Sequence, residues 1–184
     1  MQRVGDARLK IYLYHIPPVA VVGITTGLVE RLLAAYPNAI AGMKDSSGDW
    51  NNTKTFLDAF AKSGFDVFVG SDSFLLANMR KGGVGTISAT ANVNPAAIYE
   101  LYKKWNTTDD TDNADQQQSK LNVLRQVFSS RKFPSMIAAL KQAIAIYADD
   151  PAWRTVRPPL VELTPEQANT LAAELKAIGF RWEK

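Results

Sequence analysis

Lys44 closes a short apolar run over residues 39–43 (AIAGM) and directly precedes Asp45. If this run is a buried strand, desolvation at its end disfavours the ammonium form of the lysine. A neutral amine attacks a ketone and forms a Schiff base. The alternative is structural, a strand-end lysine that reaches solvent or pairs with Asp45. Residue type and position alone leave both interpretations open.

Tyr14 and His15 lie near the end of a second apolar run, residues 10–16 (KIYLYHI), which Pro17 and Pro18 stop. Next to a Schiff-base lysine, the phenol of Tyr14 can relay protons between substrate and solvent. Without such a lysine, Tyr14 is a strand aromatic whose hydroxyl has a structural partner. We expect His15 to be a neutral strand-end residue.

Polar residues and glycines also stand at the ends of two further apolar runs, at residues 70–72 (GSD) after one and 86–88 (TIS) within the other. Functional groups of parallel α/β folds gather at such carboxyl ends of strands. Asp45 and Asp49 are predicted to serve a turn and a helix start. The glycines of residues 82–85 (GGVG) suggest a phosphate cradle or a tight turn. They precede a strand instead of joining a strand to a helix, which favours the turn.

Four apolar runs in residues 1–105 are each followed by a helical pattern. Short runs that are apolar on both faces are typical of strands in a parallel sheet covered by helices. Alternation of strand and helix implies right-handed crossovers. The predicted strands are residues 10–16, 39–43, 66–69 and 84–89, and the predicted helices include one capped by Thr26 and one over residues 74–79.

The second part of the chain has a different pattern. Residues 106–118 are polar and predict a loop or a helix start, and three helices without strands follow. Thr164, Pro165 and Gln167 form a consistent helix start, and Gly179 is a stop. The chain therefore divides into an α/β region, residues 1–105, and a helical region, residues 106–184. The helix positions expected to pack inside are Leu121, Leu124, Phe128, Ile137, Leu140, Ile144, Tyr147, Leu171, Leu175 and Ile178.

Composition excludes several classes of protein and of site. With 184 residues, 46% of them apolar, the chain can form the core of one domain with an appendage. The sequence has no cysteine and one histidine, which excludes disulfides, cysteine-ligated metals and multi-histidine sites. The net charge of +3 is scattered, which argues against nucleic acid as a partner. We predict a cytoplasmic protein without a membrane partner, because no signal-peptide core or membrane-length apolar run is present.

The spacing of the strand-end motifs is more specific than any single residue. The sequence combines residues 14–17 (YHIP), 42–49 (GMKDSSGD), 70–72 (GSD) and 85–88 (GTIS). In this arrangement it resembles the dihydrodipicolinate synthase/N-acetylneuraminate lyase family, over essentially the whole chain. The resemblance implies class I pyruvate-dependent chemistry on a (β/α)8 TIM barrel with a C-terminal helical domain. It implies that this chain holds the four C-terminal βα units, strands five to eight of the barrel, followed by a three-helix region.

The resemblance also implies roles for individual residues. Lys44 matches the Schiff-base lysine and Tyr14 the proton-relaying tyrosine. Ile87 matches the residue whose backbone faces the bound pyruvoyl group. Gly70 and Asp72 match positions that meet the hydroxylated tail of the substrate in sugar-acid lyases. The implied chemistry needs neither a metal nor an organic cofactor.

Two departures from the family pattern affect the expected function. Val19 stands where dihydrodipicolinate-forming members carry an arginine for the carboxylate of the second substrate. This favours a sugar-acid or other 2-oxo-acid aldolase or dehydratase. The match also begins at the fifth barrel strand, so the loop that holds the pyruvate carboxylate in this family has no counterpart here.

Three functional hypotheses follow. The leading one is a Schiff-base lyase, aldolase or dehydratase for pyruvate-derived 2-oxo acids. The second is a catalytically incomplete half-barrel, and the third, ranked lower, is a phosphosugar-binding half-barrel. The expected partners are a small 2-oxo acid and either further copies of the chain or a complementing N-terminal half-barrel. Inward-facing residues (Tyr12 or Leu13, and Val67 or Phe68) would otherwise lack an opposing half, so the chain alone is expected to self-associate.

Overall fold

The computed structural model describes residue 6 and residues 8–106 and 111–182. Two compact units make up the chain, Met1–Ser88 and Ala89–Lys184. Residues 1–5 and 107–110 lie outside the described residues. The signal-peptide prediction rests in part on the first of these segments, and the loop prediction for residues 106–118 rests in part on the second.

A parallel sheet forms the centre of the first unit. Its strands follow one another in space as they do in sequence, in the order β1-β2-β3-β4. The predicted α/β class with a parallel sheet is therefore confirmed. The strands are β1 (Ile11–His15), β2 (Ile40–Asp45), β3 (Asp66–Val69) and β4 (Gly85–Thr86).

Helices connect these strands. They are α1 (Pro17–Ala20), α2 (Thr26–Ala35), α3 (Trp50–Phe60) and α4 (Leu75–Arg80), with 3-10 turns at Ala61–Ser63 and Asp72–Phe74. The predicted cap at Thr26 is wrong, because Thr25 accepts the hydrogen bond from the backbone N–H of Leu28. Asp49 caps α3 as predicted, by accepting from the N–H of Asn51.

The fourth strand is shorter than the predicted residues 84–89. Beside it, the amide of Asn78 donates to Val67 O and Gly85 O, each at 3.0 Å. This buried side chain thus joins β3 to β4 where strand pairing is short. After Thr86 the chain turns into a 3-10 segment, Ala89–Asn92, instead of continuing as a strand.

The two faces of the sheet differ in burial. One face packs on the helices, with Met43 and Val67 fully buried beside Phe56 and Leu57. On β1, Leu13 packs against this cluster, whereas Tyr12 is exposed. On β3, Val67 is buried, and Phe68 contacts Tyr12 edge to face at 5.9 Å. The open face therefore carries Tyr12 and Phe68, and the helix-covered face carries Leu13 and Val67.

The second unit is helical in its described residues. Its helices are α5 (Pro95–Lys104), α6 (Thr111–Phe128), α7 (Met136–Ala148) and α8 (Pro165–Ala177), with a 3-10 segment at Pro151–Arg154. Thr164 and Gln167 form a complete capping box. The backbone of Gly179 has a φ of 69°, as expected of a helix stop.

The predicted inner positions of these helices are mostly confirmed. The core includes Leu121, Leu124, Phe128, Leu140, Leu171 and Leu175, and the partly buried Ile144 and Tyr147 pack around it. Two positions were predicted wrongly, because Ile137 lies at the solvent-facing first turn of α7 and Ile178 lies beyond the end of α8. Helix α5 belongs to the second compact unit, and the division at residue 105 stays a prediction. Within the described ranges, no helix has the length and hydropathy of a membrane span.

Candidate active site

Tyr14 and Lys44 are neighbours on adjacent strands. They are register partners in the parallel pair β1–β2, so both side chains leave the same face of the sheet. Lys44 Nζ donates a hydrogen bond to Tyr14 Oη at 3.2 Å and lies 4.4 Å from the centroid of the tyrosine ring. The residues expected to supply an amine and a phenol are therefore in direct contact.

Asp45 does not pair with Lys44. Side chains alternate along a strand, and Asp45 is buried on the opposite face. Its carboxylate accepts from the N–H of Ser47 at 2.9 Å, from Asn52 Nδ2 at 3.0 Å and from Thr53 Oγ1 at 2.6 Å. These three donors tie the turn after β2 to helix α3. The amine of Lys44 thus has Tyr14 as its hydrogen-bonding partner.

The phenol of Tyr14 is more acidic than an ordinary tyrosine. Partial desolvation raises the pKa of Tyr14, but hydrogen bonds from Lys44 and Ser46, together with the Lys44 charge, outweigh it and lower the pKa. The residue is nevertheless 53% exposed, so protons can pass between it and solvent. This combination suits an acid–base group better than a structural strand aromatic.

Ser46 is a site residue that the sequence analysis missed. Its hydroxyl hydrogen-bonds Tyr14, and its backbone N–H donates to His15 O at 2.7 Å. Gly70 makes room for it, since a Cβ at Gly70 would collide with Ser46 Oγ. The one sequence signal for this contact is the small size of both residues, Ser46 and Gly70. Their closeness became visible only with the register of β2 and β3.

A second layer lies next to Lys44 on the same face. Tyr12 Oη donates to Asp66 Oδ2 at 2.6 Å, across Gly42 on the intervening strand. This bond raises the pKa of Tyr12. Phe68, the register partner of Lys44, contacts the Tyr12 ring. This layer could not be predicted from the sequence, because its polar partners are 54 residues apart.

Gly42 is required by this close approach. A Cβ there would collide with the backbone oxygen of Asp66 and lie 2.8 Å from Tyr12 Cε1. We expect Gly42→Ala to lower the free energy of unfolding by about 1–3 kcal/mol, the usual cost of overpacking. Urea denaturation followed by circular dichroism measures the change.

Gly27 provides the matched control. It lies in helix α2, and a Cβ there meets no atom within 4 Å. Gly27→Ala should therefore raise stability by about 0.5–1 kcal/mol. Equal stability of the Gly42→Ala variant and the wild type would mean that the strands move apart without cost.

His15 holds the loop that follows β1. Its Nδ1 accepts from the backbone N–H of Ile24 at 2.9 Å, and its ring lies against Phe56. A nitrogen that accepts carries no proton, so the ring is neutral when this bond is made. The expected neutral strand-end histidine is confirmed. Val19 lies before this loop, in helix α1, and is 74% exposed.

The three predicted substrate-binding residues differ in accessibility. Ile87 is 50% exposed, and its N–H donates to Val69 O at 3.0 Å. Gly70 lies beside Ser46. Asp72 is 1% exposed, and its carboxylate accepts from Ser88 Oγ at 2.7 Å. Ile87 therefore faces open space, whereas any effect of Asp72 on a ligand passes through its neighbours.

The glycines before β4 form a tight turn. Gly82 has a φ of 91°, and a Cβ at Gly83 would collide with the amide of Asn78. The favoured interpretation of this segment is thereby confirmed over a phosphate cradle. Among the described residues, no three acidic, histidine or cysteine side chains cluster in a way that would hold a metal ion.

The arrangement can perform carbonyl chemistry. An amine at the carboxyl end of a strand can attack a ketone, and an acidified phenol at hydrogen-bonding distance can supply or remove the proton. The neighbouring Ser46 is placed to hold the phenol in position.

Comparisons with known proteins point to one family. The sequence profile of the Dihydrodipicolinate synthetase family matches residues 4–178. The chain is 31% identical over 174 residues to a protein described as an uncharacterized DapA-like lyase from Chloroflexus aurantiacus. That match covers 95% of this chain and 54% of the relative.

Solved structures agree with the sequence match. Dihydrodipicolinate synthase from Agrobacterium tumefaciens str. C58 superposes with a TM-score of 0.76 and 29% identity, over 98% of this chain and 57% of that one. YagE from E. coli K12, a prophage protein of the dihydrodipicolinic acid synthase family solved with pyruvate, has a TM-score of 0.81 and 26% identity. That superposition covers 97% of this chain and 59% of YagE. The chain spans about half the length of the curated relatives it matches.

Proposed function

Because the chain belongs to the dihydrodipicolinate synthetase family, we propose that it carries the Schiff-base centre of a lyase, aldolase or dehydratase that acts on pyruvate-derived 2-oxo acids. The observation that carries this proposal is the contact between Lys44 Nζ and Tyr14 Oη at 3.2 Å. YagE, a structural neighbour, was solved in complex with pyruvate. The proposed location is the cytoplasm, as the sequence analysis predicts.

The proposed reaction uses Lys44 as the nucleophile. Its neutral amine adds to the C2 carbonyl of the 2-oxo acid, water leaves, and a protonated imine forms. In the cleavage direction the C4 hydroxyl loses its proton, the C3–C4 bond breaks, and its electron pair moves into the iminium to give an enamine and an aldehyde. Protonation of the enamine at C3 and hydrolysis of the imine then release pyruvate and the free lysine.

Tyr14 moves the protons of these steps. Its phenolate accepts the proton of the C4 hydroxyl, and the phenol returns a proton later in the cycle. The lowered pKa of Tyr14 favours the accepting form at a given pH. In the dehydratase variant, the same imine loses a C3 proton to give an enamine, and the C4 hydroxyl then takes up a proton and leaves as water.

The remaining site residues have proposed binding roles. The backbone at Ile87 faces the pyruvoyl group, and Gly70 and Asp72 lie where the tail of the substrate passes. The burial of Asp72 supports an indirect role, through the hydroxyl of Ser88.

We also propose where the described strands belong in the family fold. Strands β1–β4 would be strands five to eight of a (β/α)8 barrel, in a region of residues 1–105, and residues 106–184 would be the helical appendage. The match to 54–57% of the length of relatives supports this assignment. The open face with Tyr12, Tyr14 and Lys44 would then line the barrel interior.

Val19 carries a prediction about the second substrate. The short helix α1 after β1 presents an exposed valine where a carboxylate-binding arginine is expected in dihydrodipicolinate-forming members. Assays of the active protein should therefore give little product from pyruvate and aspartate semialdehyde. Hydroxylated 2-oxo acids should be cleaved or dehydrated, as measured by pyruvate release or by loss of the substrate. Efficient condensation with the semialdehyde would contradict this role of Val19.

The alternative function is a catalytically incomplete half-barrel. It is favoured by the exposure of Tyr12 and Tyr14 on the open sheet face and by the span of about half the relatives' length. In this case the partner would be a complementing N-terminal half-barrel or further copies of the chain. Light scattering and a lyase assay on the 184-residue chain separate the two.

We expect the isolated chain to self-associate and to show little turnover. Each large apolar side chain that is left without a partner loses about 1.5–3 kcal/mol of the free energy that its burial would supply. Addition of the N-terminal half of a family relative should then raise the activity. A stable and fully active monomer would contradict the half-barrel assignment and leave the Lys44 chemistry standing.

A further inference from the structure

The segment that follows β1 exposes three valines beside the candidate active site. Val19, Val21 and Val22 are 74%, 87% and 75% exposed. The segment leaves β1 at its last residue, His15, and is tied back to it, because the N–H of Ile24 donates to the imidazole at 2.9 Å. The three valines therefore lie at the carboxyl edge of the sheet, the edge that carries the candidate active site.

Neither packing nor backbone conformation explains a valine at position 21. Val21 has a φ of 64° and a ψ of −27°, in the left-handed region that a β-branched residue rarely adopts. Glycine would adopt this conformation without strain. Because the side chain is exposed, packing within the described part of the chain offsets little of the strain. A strained and exposed apolar residue at the edge of an active site indicates contact with a ligand or a partner.

The charges at this edge argue about the ligand. The segments that follow the four strands are residues 16–25, 46–49, 70–74 and 87–88. They contain no lysine or arginine, so they supply no countercharge to an anionic group of a ligand. Their two carboxylates are engaged within the fold. Asp49 accepts from the N–H of Asn51, and Asp72 is 1% exposed and accepts from Ser88 Oγ.

Hydroxyls in the same segments serve their own turns. Ser47 Oγ accepts from the N–H of Asp49 at 3.2 Å, and Ser71 Oγ accepts from the N–H of Ser73 at 3.3 Å. The exposed surface of the edge consists instead mainly of apolar side chains, to which Ile87 adds a further one. Such a surface favours an apolar ligand group over a charged or polyhydroxylated one.

In the proposed reaction, the tail of the substrate extends toward this edge. Imine formation joins C2 to Lys44, and proton transfer brings the C4 hydroxyl to Tyr14 Oη, which lies 3.2 Å from the amine. Tyr14 is the last residue but one of β1, so a substituent on C4 continues past the end of that strand. Its neighbours there are the exposed valines.

We propose, on the basis of the Schiff-base function proposed above, that the substrate is a 4-hydroxy-2-oxo acid whose C4 substituent is apolar and uncharged. The substituent packs on Val19, Val21 and Val22. Cleavage of the C3–C4 bond, by the steps already given, releases pyruvate and an apolar aldehyde. The C4 hydroxyl that cleavage requires contacts Tyr14.

Competitive trapping on the 184-residue chain tests the proposal. Pyruvate is mixed with an equal concentration of one longer acid. The longer acids are 2-oxoheptanoate, with an apolar tail, 5-methoxy-2-oxopentanoate, in which an ether oxygen replaces one methylene, and 2-oxoadipate, whose tail ends in a carboxylate. After reduction with cyanoborohydride, mass spectrometry of the peptide that contains Lys44 gives the ratio of the longer adduct to the pyruvate adduct. The same ratio measured on Nα-acetyl-lysine corrects for intrinsic reactivity.

We expect the corrected ratio to be highest for the apolar tail. It should exceed the ratio for the ether acid by about three- to tenfold, because one buried methylene is replaced by a polar atom without a partner. The ratio for 2-oxoadipate should be lower still, since the carboxylate meets no cation at this edge.

Variants assign the preference to the valines. Val19→Thr and Val22→Thr replace a methyl with a hydroxyl at nearly unchanged shape, and both positions are exposed, so the variants are expected to fold. Each should lower the preference for 2-oxoheptanoate by about two- to fivefold. Val21→Gly should lower it as well while raising the melting temperature, because glycine relieves the strain. Val161→Thr is the control, an exposed valine in the second compact unit, and should leave every ratio unchanged.

The outcomes separate this proposal from the function on which it rests. Equal ratios for the three longer acids, or a preference that all three valine variants retain, would overturn the apolar tail and leave the Schiff-base function standing. Valine variants that change the particle mass in light scattering without changing the ratios would assign the valines to a contact between subunits. The absence of any adduct, with pyruvate included, would contradict the Schiff-base function itself.

Discussion

Replacement of Lys44 with alanine should abolish covalent trapping of pyruvate and, in the protein complemented with an N-terminal half-barrel, reduce turnover to the background rate. The amine is the atom that forms the imine, and no other group of the site can replace it. Its phenolic neighbour Tyr14 lies at 3.2 Å but is not an amine, so it forms no Schiff base. Borohydride reduction in the presence of pyruvate, followed by mass spectrometry of the intact protein, measures the effect.

Lys44→Arg separates charge from nucleophilicity. The guanidinium keeps a cation close to Tyr14 but is not deprotonated in proteins, so it cannot attack the ketone. We expect this variant to be as inactive in trapping as Lys44→Ala. An adduct that persists in either variant would assign the Schiff base to another lysine.

In the protein complemented with an N-terminal half-barrel, Tyr14→Phe should lower turnover by about 10²–10⁴-fold, the usual range for loss of an acid–base group. The ring keeps its place beside Lys44 while the hydroxyl that accepts from Nζ is lost. The imine should still form slowly, so trapping of pyruvate persists in this variant. Steady-state rates and the time course of trapping, measured side by side, separate proton relay from imine formation.

Tyr12→Phe is the matched control for Tyr14→Phe. Tyr12 lies on the same strand and the same face, but its hydroxyl donates to Asp66 instead of contacting Lys44. We expect the Tyr12 variant to keep most of its turnover. Equal losses in the two variants, or wild-type turnover after Tyr14→Phe, would return Tyr14 to a structural role.

Much of the site could be predicted from the sequence because it depends on local signals. The apolar runs before Tyr14 and Lys44 indicated strand ends, and parallel strands bring such ends to one edge. The hydrogen-bond partners of Asp45 could not be predicted. Its three donors come from a turn and a helix start, and the pattern of apolar residues does not encode their geometry.

Contacts between distant strands were the main part that the sequence did not reveal. The Tyr12–Asp66 bond depends on Gly42 lying between them, and the place of Ser46 depends on Gly70. Each requires the exact register of two strand pairs, which composition and periodicity leave open. The length of β4 was overestimated because the apolar run continues to Ala89, whereas the strand ends at Thr86 and a 3-10 segment begins at Ala89.

The most direct test of the Schiff-base assignment is peptide mapping of the wild-type chain after reduction with borohydride in saturating pyruvate. We expect one reduced pyruvoyl group, carried by the peptide that contains Lys44. An unmodified chain, or an adduct on a different lysine, would contradict it.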